Sequence, residues 1–426
     1  MKFCFRPIIR FFKSREFVFA LALLGSAIPL SAATLEVCPT CEIQSIGAAI
    51  EAAKAGDRIL VNGGFYKEGK IFVDKTVELI GRDFPILDGQ NKTEIITVTA
   101  NGVHIEGFQI QNVGSSYTED RAGIRLRRVK NFSIKNNKLL NTFFGIYLEH
   151  SSDGVISNNE VFGKAVQEMS SGNAIHLWYC KNVKVEHNHV KGHRDGIYFE
   201  FVNNCLISNN LSENNLRYGL HFMFSDDDEY RLNTFRNNGA GVAVMFSRRI
   251  QMLENIFEEN WGASSYGLLL KEINDAQIRD NDFIENTVGI QVEGSNRISY
   301  SRNLFRQNGW AVKMRGGCLD NKVLENNFIG NTFDLAAFSG HNNNTFDGNY
   351  WSEYAGYDLD RDGIGDVPYR PVKLFNYVVN QTPEAIVLMR SLFVDIINFS
   401  EKVSPVFTPA DVLDNAPKMK KIDFKM

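Results

Sequence analysis

The chain has 426 residues and a formal net charge of −4, from 46 Lys and Arg against 50 Asp and Glu. The first 33 residues alone carry +4, so the rest of the chain carries −8. Because a negatively charged chain is a poor match for polyanions, we expect no nucleic acid or anionic lipid surface as its main partner.

The first predicted element is a targeting segment. Basic residues precede the apolar run "FVFALALLGSAIPL", and the small residues of "LSAA" follow it. This order is typical of a secretory signal peptide and predicts residues 1–33 as the signal, with cleavage after Ala33. No later segment reaches about 18 uninterrupted apolar residues, so we expect the mature protein to be exported and soluble.

Residues 34–58 predict a cap for the structure that follows. The sequence favours an amphipathic helix from Ser45 to Ala55, which would cover an otherwise open β-edge. Before it, Cys38 and Cys41 in "CPTC" are spaced for a disulfide, which an exporting compartment allows. A metal-binding or redox pair is the alternative interpretation of the same spacing.

Residues 59–350 contain an internal repeat of short strands. A small residue followed by apolar-x-apolar recurs in "GIRL", "GIYL", "AIHL", "GIYF", "GLHF", "GVAV", "GLLL", "GIQV" and "AVKM", at steps of 22, 29, 22, 23, 22, 26, 22 and 22 residues. A second motif, rich in Asn, lies out of phase with the first, as at Asn136–Asn137 and Asn209–Asn210.

This repeat predicts an all-β fold. A unit this short cannot bury an apolar face alone, whereas stacked units can. The alternating polarity of its strands predicts the coils of a right-handed parallel β-helix of the pectin-lyase-like type. The asparagines suit corners with a left-handed backbone and can stack as amide ladders. A leucine-rich repeat is excluded because the Leu-x-x-Leu-x-Leu spacing is absent.

Two neighbouring coils, "RYGLHFMFS" and "GVAVMFS", place unusual residues on their outer face. Since alternate residues of a strand face outward, we expect His221, Met223 and Met245 to lie close together, with Glu200 beside Met223 on the preceding coil. Imidazole and thioether groups suit Cu(I). The alternative is that the methionines form an adaptable apolar surface for a protein contact, and the two readings can coexist.

The aromatic and acidic stretch 351–378 is predicted as a loop segment. In "DLDRDGIGD", the residues Asp358, Asp360, Asp362, the Ile364 carbonyl and Asp366 match the first half of an EF-hand-type calcium loop. Tyr369 stands where such a loop has its bidentate Glu, so a simple Asp- and Gly-rich turn is the alternative.

Residues 379–426 predict a helix and an extended tail. Thr382 as N-cap and Pro383 at the first helical position open a helix that should end before Ser404. Its apolar arc, which includes Leu388, Phe393 and Ile397, is wider than packing on one neighbour requires. We therefore expect these side chains to cap the last coil and to dock a partner, with capping alone as the alternative.

These motifs, in this order on a predicted β-helix, resemble the NosD family. The segments that carry the resemblance are "RYGLHFMFS", "GVAVMFS", "YGLLLKE", "GNYWSEYAGYDLDRDGIGDVPYRPV" and the tail "LMRSLFVDIINFSEKVSPVFTPADVLDNAPK". The likeness extends from about Cys38 to Lys418, and the long block after Asn349 and the tail are its most specific parts.

The resemblance implies a periplasmic accessory protein for the maturation of nitrous oxide reductase. Members of the family work with an ABC transporter, made of an ATPase and a membrane permease, and with a small copper chaperone. They help to assemble a copper centre of the reductase. The resemblance thus implies transient contact with copper and no enzymatic activity in the chain itself.

Two other function classes remain open from the residues alone. A carbohydrate-binding or carbohydrate-active β-helix, such as a polysaccharide lyase or epimerase, could use His193, Arg194 and Asp195 of "GHRDG" as base, charge neutraliser and acid. A purely structural adhesin or scaffold is the other. The sequence has no nucleotide-binding loop, so any ATP chemistry belongs to a partner.

Overall fold

A computed structural model describes residues 32–116, 118–337, 343–403 and 412–424. Nearly all of the predicted signal peptide lies outside these residues. From Ala33 onward the chain forms one compact unit. Within the described ranges, no helix is both long and apolar enough to cross a membrane.

The architecture is a parallel β-helix, as the repeat predicts. Each coil contributes one short strand to each of three parallel sheets, which we call sheets A, B and C. Within a sheet, strands that are consecutive in space come from consecutive coils, so every sheet runs along the whole helix.

Sheet A contains Thr34–Val37, Arg58–Val61, Glu78–Gly81, His104–Glu106, Ser133–Lys135, Ser152–Ser157, Lys181–Glu186, Leu206–Ser208, Glu229–Arg231, Gln251–Leu253, Gln277–Arg279, Ser299–Ser301, Lys322–Leu324 and Thr345–Asp347. Sheet B contains Phe65–Tyr66, Ile86–Asp88, Gln109–Gln111, Lys138–Leu140, Glu160–Phe162, His189–Lys191, Leu211–Glu213, Thr234–Arg236, Ile256–Glu258, Asp282–Ile284, Leu304–Arg306, Asn327–Ile329 and Tyr350–Trp351. Sheet C contains Ile71–Val73, Ile96–Val98, Ala122–Arg127, Phe144–Glu149, Ile175–Trp178, Asp195–Glu200, Tyr218–Met223, Ala240–Met245, Leu268–Lys271, Val288–Glu293, Trp310–Arg315 and Phe333–Ala337.

The core is the inside of the coil stack. Because the register repeats, like residues lie above like residues, and inward side chains form continuous columns. One such column is a stack of aromatic rings at centroid distances between 4.1 and 5.5 Å, formed by Phe235, Phe257, Phe283, Phe305, Phe328 and Trp351. These rings are almost completely buried, so from Phe235 onward the aromatic residue that follows the Asn-rich motif fills the core under sheet B.

The asparagines form the predicted ladder. The Asn137 amide donates to the Asn159 Oδ1 at 3.1 Å, and the same bond repeats from coil to coil as far as Asn349. The residue before the ladder position is left-handed, with a φ of 53° at Asn136, a conformation that asparagine tolerates. The ladder satisfies the buried polar groups of this corner.

The N-terminal end is covered by a short helix, α1, at Ile46–Ala52. It is shorter than the predicted Ser45–Ala55 helix, but Ser45 is its N-cap and accepts from the Ala48 amide at 3.2 Å. Ile46, Ala49 and Ile50 are buried against the first coils. A disulfide joins Cys38 and Cys41 just before this helix.

The C-terminal helical region differs from the prediction in two ways. Helix α2 spans Leu374–Gln381 and so begins inside the stretch predicted as loop; a 3-10 helix follows at Pro383–Leu388, and α3 spans Leu392–Val403. The single helix predicted from Pro383 is therefore divided into the 3-10 helix and α3, with a turn at residues 389–391 between them. Helix α2 ends before Pro383, where the Thr382 amide bonds the Val378 carbonyl and Pro383 has no amide hydrogen to continue the helix.

These helices pack on the outer face of sheet C. Phe375 and Val379 of α2 and Val394 of α3 share one buried apolar cluster with outward-facing residues of several coils, among them Ala243, Leu269, Val288, Trp310, Phe333 and Ala336. The Asn376 amide donates to the Leu335 carbonyl, and the Leu374 amide donates to the Glu401 carboxylate at 2.9 Å. The helical region thus packs on the side of the β-helix, whereas Val372 and Val412, which lie outside the helices, share the main core with Trp351 of the last coil.

Candidate metal centre

The outer face of sheet C brings the predicted metal ligands to adjacent positions. His221 pairs with Tyr198 on one side and Ala243 on the other, and Met223 lies between Glu200 and Met245. This is the register expected from the repeat. We call His221, Met223 and Met245 the soft-metal patch; Glu200 lies at its edge.

His221 is buried, although it was expected on an open surface. It is 4% exposed, and neither of its ring nitrogens has a hydrogen-bond partner. The rings of Tyr198 and Tyr218 lie 5.0 and 4.7 Å from the imidazole, measured between centroids, and cover it. A buried polar group without a partner is costly, so this imidazole is a place where an unseen ligand would be stabilising.

The electrostatic surroundings keep His221 neutral. Burial, followed by the positive charges of Arg217 and Arg194, lowers its pKa to about 3. The Asp195 carboxylate lies 4.0 Å from Nδ1, and burial raises the pKa of this carboxyl. A neutral imidazole has a lone pair that can bind a metal ion, whereas a protonated one does not.

Met223 lies two residues after His221 on the same strand, and Met245 is its partner on the next strand; both methionines are partly buried. The Tyr198 hydroxyl is 3.8 Å from the Met223 sulfur, and Met245 packs against the apolar cluster under the C-terminal helices. Burial, and then the neighbouring Glu200 carboxylate, raises the pKa of Tyr198 to about 12. Tyr198 therefore stays a neutral hydroxyl between the carboxylate and the thioether.

Sequence reasoning underestimated two residues of this centre. Tyr198 received no role from the sequence, yet its ring covers His221 and its hydroxyl contacts Met223. Asp195 was considered only for catalysis, yet it pairs with Tyr218 at the start of the same strands. The signal that could have found both is the register itself, because it places them next to His221.

A second histidine lies farther along the same column. His176 contacts Tyr147 and Tyr198 at ring-centroid distances of 4.4 and 4.7 Å, so the Tyr198 ring separates it from His221. Its Nδ1 is 3.1 Å from the Asn173 amide nitrogen. His176 therefore cannot bind the same ion as His221, as the two-coil separation predicts.

The residues considered for catalysis do not form one open site. His193 is buried, and its ring nitrogens lie 3.1 Å from the Thr142 hydroxyl and from the Lys191 carbonyl. Asp195 is fully buried, with its carboxylate oriented by the Tyr218 amide and Arg194. Because the His193 ring and the Asp195 carboxylate are both hydrogen-bonded inside the protein, this trio is poorly placed to act as base and acid on a bound polysaccharide.

The acidic loop brings three carboxylates together. Oxygens of Asp358, Asp360 and Asp362 lie within 4.8 Å of one another. Asp366 instead accepts the Leu359 amide at 2.7 Å, and Ile364 is paired with Lys418 by a backbone bridge. The three carboxylates are the part of the predicted calcium loop that the fold draws together.

The residues predicted to dock a partner differ in exposure. Leu388 and Phe393 are 44% and 55% exposed, whereas Ile397 is half-buried. Around them, Leu392, Ile396 and Phe399 are 74%, 57% and 68% exposed. One side of α3 thus packs on the β-helix through Val394, and the other side exposes a row of apolar side chains to solvent.

Known proteins are similar to this chain over much of its length. The family model NosD, described as "Periplasmic copper-binding protein", matches residues 161–356, which include the soft-metal patch. The "Probable ABC transporter binding protein NosD" of Stutzerimonas stutzeri is 27% identical over 373 residues, covering 83% of this chain and 85% of the relative. The protein of the same description from Pseudomonas aeruginosa is 29% identical over 418 residues, covering 94% of this chain and 97% of the relative.

Among solved structures, the A-module of the mannuronan C-5 epimerase AlgE6 from Azotobacter vinelandii is 14% identical, with a TM-score of 0.49 over 71% of this chain and 92% of the module. The chain is thus similar to the NosD family model over residues 161–356 and to two NosD proteins over most of its length.

Proposed function

We propose that this protein is a periplasmic accessory protein for the maturation of nitrous oxide reductase. In this proposal it helps to assemble or deliver the copper centre of the reductase, together with an ABC transporter (ATPase plus permease) and a copper chaperone. Copper is its cargo, held transiently. The description of the family as copper-binding and of its relatives as ABC transporter binding proteins supports the proposal.

The observation that carries the copper assignment is the buried, unpartnered imidazole of His221 beside two thioethers. Neutral imidazole and thioether groups bind Cu(I) well and bind Mg²⁺ or Ca²⁺ poorly. No hydrogen bond competes for the two ring nitrogens. Glu200 contributes a negative charge at the edge of the patch, which favours an incoming cation.

The exposed apolar row of α3 supports a docking role. A soluble surface seldom exposes this many large apolar side chains together without a partner. We propose that Leu388, Phe393 and Ile397, with their exposed neighbours, form the contact with the membrane permease of the transporter. This contact would hold the protein at the membrane through its partner.

The acidic loop supports a structural calcium site. Three carboxylates held within 4.8 Å repel one another, and a bound Ca²⁺ would offset this repulsion. We propose that Asp358, Asp360 and Asp362 bind the ion, with the Ile364 carbonyl and Asp366 completing the loop. Its role would be to fix the segment between the last coil and α2.

A carbohydrate-active function is the alternative that the fold class invites. It would require a base and an acid that reach a substrate, and His193 and Asp195 are both buried and hydrogen-bonded. We therefore favour the copper-handling function.

A Cu(I) titration with a competing chelator tests the proposal. The variant His221→Gln/Met223→Leu/Met245→Leu keeps side-chain volume while removing the imidazole and both sulfurs, and we expect at least a hundredfold loss of Cu(I) affinity. Met169→Leu is the matched control, because Met169 is 95% exposed and lies on the loop before the Ile175–Trp178 strand. Equal affinities of the triple variant and the wild type would remove the proposal.

A further inference from the structure

A groove lies on the outer face of sheet B, beside the C-terminal tail. It encloses about 590 Å³, a volume within the range of ligand pockets. Its floor is formed by the outward side chains of Ile256, Asp282 and Leu304, which lie on three successive strands. Leu232 extends the floor at the corner of the preceding coil, and residues 421–424 of the tail bound the groove toward the last coil. We call this cavity the tail groove.

The tail shows that a polypeptide segment can lie across the coils on this face. The Asn327 side chain donates to the Ile422 carbonyl and accepts from the Ile422 amide, both at 2.9 Å. One coil earlier, the Phe424 ring lies 5.2 Å from the Arg302 guanidinium. The tail thus passes from one coil to the coil before it, and the groove continues in the same direction.

The floor of the groove holds an unpaired carboxylate between two apolar side chains. Asp282 is partly buried and pairs in register with Ile256 on one side and Leu304 on the other. Within the part of the chain that the structure describes, its side chain has no hydrogen bond and no ion pair. Burial raises the pKa of Asp282, and Arg306 and Lys421 oppose this rise through their charges alone. A cation placed against this carboxylate would compensate for its burial.

The apolar residues of the groove are open to a ligand. Leu232 is 47% exposed and Ile256 is 37% exposed. Single exposed apolar side chains are ordinary on a protein surface, but these two line the same cavity as Asp282, and the Phe424 ring lines its other end. The charge and the apolar surface are therefore complementary to a cation with apolar groups on both sides.

The length of the groove indicates a peptide. From the strand of Leu304 to the coil of Leu232 there are three coil steps of about 4.8 Å, or roughly 14 Å. An extended chain advances about 3.3 Å per residue, so a segment of about five residues spans this length. Since alternate side chains of an extended chain face the same way, the middle residue and the two end residues would face the floor. With the middle residue over Asp282, the end residues lie near Phe424 and near Ile256 and Leu232.

We propose that the tail groove binds an extended segment of another protein with the pattern apolar-x-cation-x-apolar, in which the cation is Lys or Arg and pairs with Asp282. The groove lies on sheet B, whereas the soft-metal patch and the C-terminal helices lie on sheet C. The inference therefore goes beyond the proposed function and does not depend on it.

The experiment uses capped, fluorescein-labelled peptides and the purified protein. The probe is Leu-Ser-Lys-Ser-Leu; one matched peptide has Gln in place of Lys, and another has Ser in place of both Leu residues. The test variants are Asp282→Asn and Ile256→Ser. Glu160→Gln is the control, because Glu160 is an exposed carboxylate on the same outward row of sheet B, in a coil far from the groove. Fluorescence anisotropy measures binding, circular dichroism measures folding, and hexylamine serves as a competitor.

We expect the wild type and Glu160→Gln to bind the lysine peptide at least tenfold more tightly than the glutamine peptide, and Asp282→Asn to bind the two alike. Ile256→Ser should reduce the advantage of the leucine-flanked peptide over the serine-flanked one at least threefold.

The inference is overturned if the wild type does not prefer the lysine peptide, or if folded Asp282→Asn keeps the preference. If hexylamine displaces the probe at a concentration equal to that of the unlabelled peptide, the occupant is a small amine and the peptide assignment fails. If Asp282→Asn does not fold, the comparison of the three peptides on the wild type and on Ile256→Ser decides.

Discussion

The carboxylate of Asp414 accepts the side-chain amide of Asn349 at 3.0 Å and so ends the asparagine ladder. The same carboxylate also accepts bonds from the Gly348, Asn349 and Ala416 amides and from the Trp351 indole. Asp414 is fully buried. Every asparagine of the ladder donates toward the next coil, so the last one needs an acceptor, and a carboxylate offers only acceptors.

Replacing Asp414 should destabilise the whole coil stack. Asp414→Ala leaves several buried donors without a partner, and we expect a loss of roughly 3 kcal/mol or more in the free energy of unfolding. Asp414→Asn keeps one acceptor oxygen and should lose less. Urea denaturation followed by circular dichroism measures both, with the exposed Asp423→Ala as control. A midpoint for Asp414→Ala equal to that of the control would contradict this role.

Asp228 should make stability depend on pH. It is 1% exposed; its Oδ1 accepts the Cys205 amide at 2.8 Å, and its Oδ2 has no partner. Burial raises its pKa well above the usual value. A raised folded-state pKa means a stabilisation that is full below about pH 4 and is lost as pH rises through the folded-state pKa.

Asparagine fills the equivalent corner at Asn321, where its Oδ1 accepts the Ile298 amide. We therefore expect Asp228→Asn to raise the unfolding free energy at pH 8 by about 1–3 kcal/mol and to flatten its pH dependence. Urea titrations at pH 5 and pH 8 test this. The same pH slope in both proteins would show that Asp228 is not the group responsible.

Calcium should stabilise the segment that carries the acidic loop. At saturating Ca²⁺ we expect the melting temperature to rise by about 2–5 °C relative to chelator-treated protein, because the ion relieves the repulsion between Asp358, Asp360 and Asp362. Asp360→Asn should abolish the rise, and Asp423→Asn should not. If native mass spectrometry detects no bound calcium, and the melting temperature is the same with and without chelator, the acidic loop is a simple turn.

Charges placed on the 3-10 helix and on α3 should release the protein from its transporter. We expect Leu388→Glu/Phe393→Glu to weaken co-purification with the ATPase–permease pair at least tenfold, because an apolar contact cannot bury unpaired carboxylates. Phe72→Glu serves as control. Substitution is the sharper test than truncation, since a shortened chain would also lose Asp414. If the folded double variant co-purifies with the ATPase–permease pair as well as the wild type does, the transporter binds another surface of the protein.

The repeat made the register of the soft-metal patch predictable. Side chains alternate with a period of two and coils stack in step, so the pairing of Met223 with Met245 follows from the spacing of the motifs. The asparagines at the corners could be predicted from the repeat as well, because a left-handed backbone and a stacked amide both favour this residue.

Contacts between distant segments could not be predicted from spacing. The register places Tyr198 next to His221, but periodicity does not state that the rings of Tyr198 and Tyr218 turn over the imidazole and bury it. The position of α2 and α3 on the side of sheet C arises from apolar matches with coils far back in the chain. The sequence pattern shows that these helices are amphipathic, but it does not show which surface of the β-helix they pack against.

The ladder also implies an order in which the segments of the chain fold. Asp414 follows Asn349 by 65 residues, so a polypeptide that emerges from its N-terminus stacks its coils before the closing acceptor exists. Until the last stretch arrives, the donors of the final coil must stay bound to water. A chain that stops before Asp414 leaves the amides of Gly348 and Asn349 and the Trp351 indole without this acceptor, so we expect proteases to open its last coil sooner than that of the whole chain.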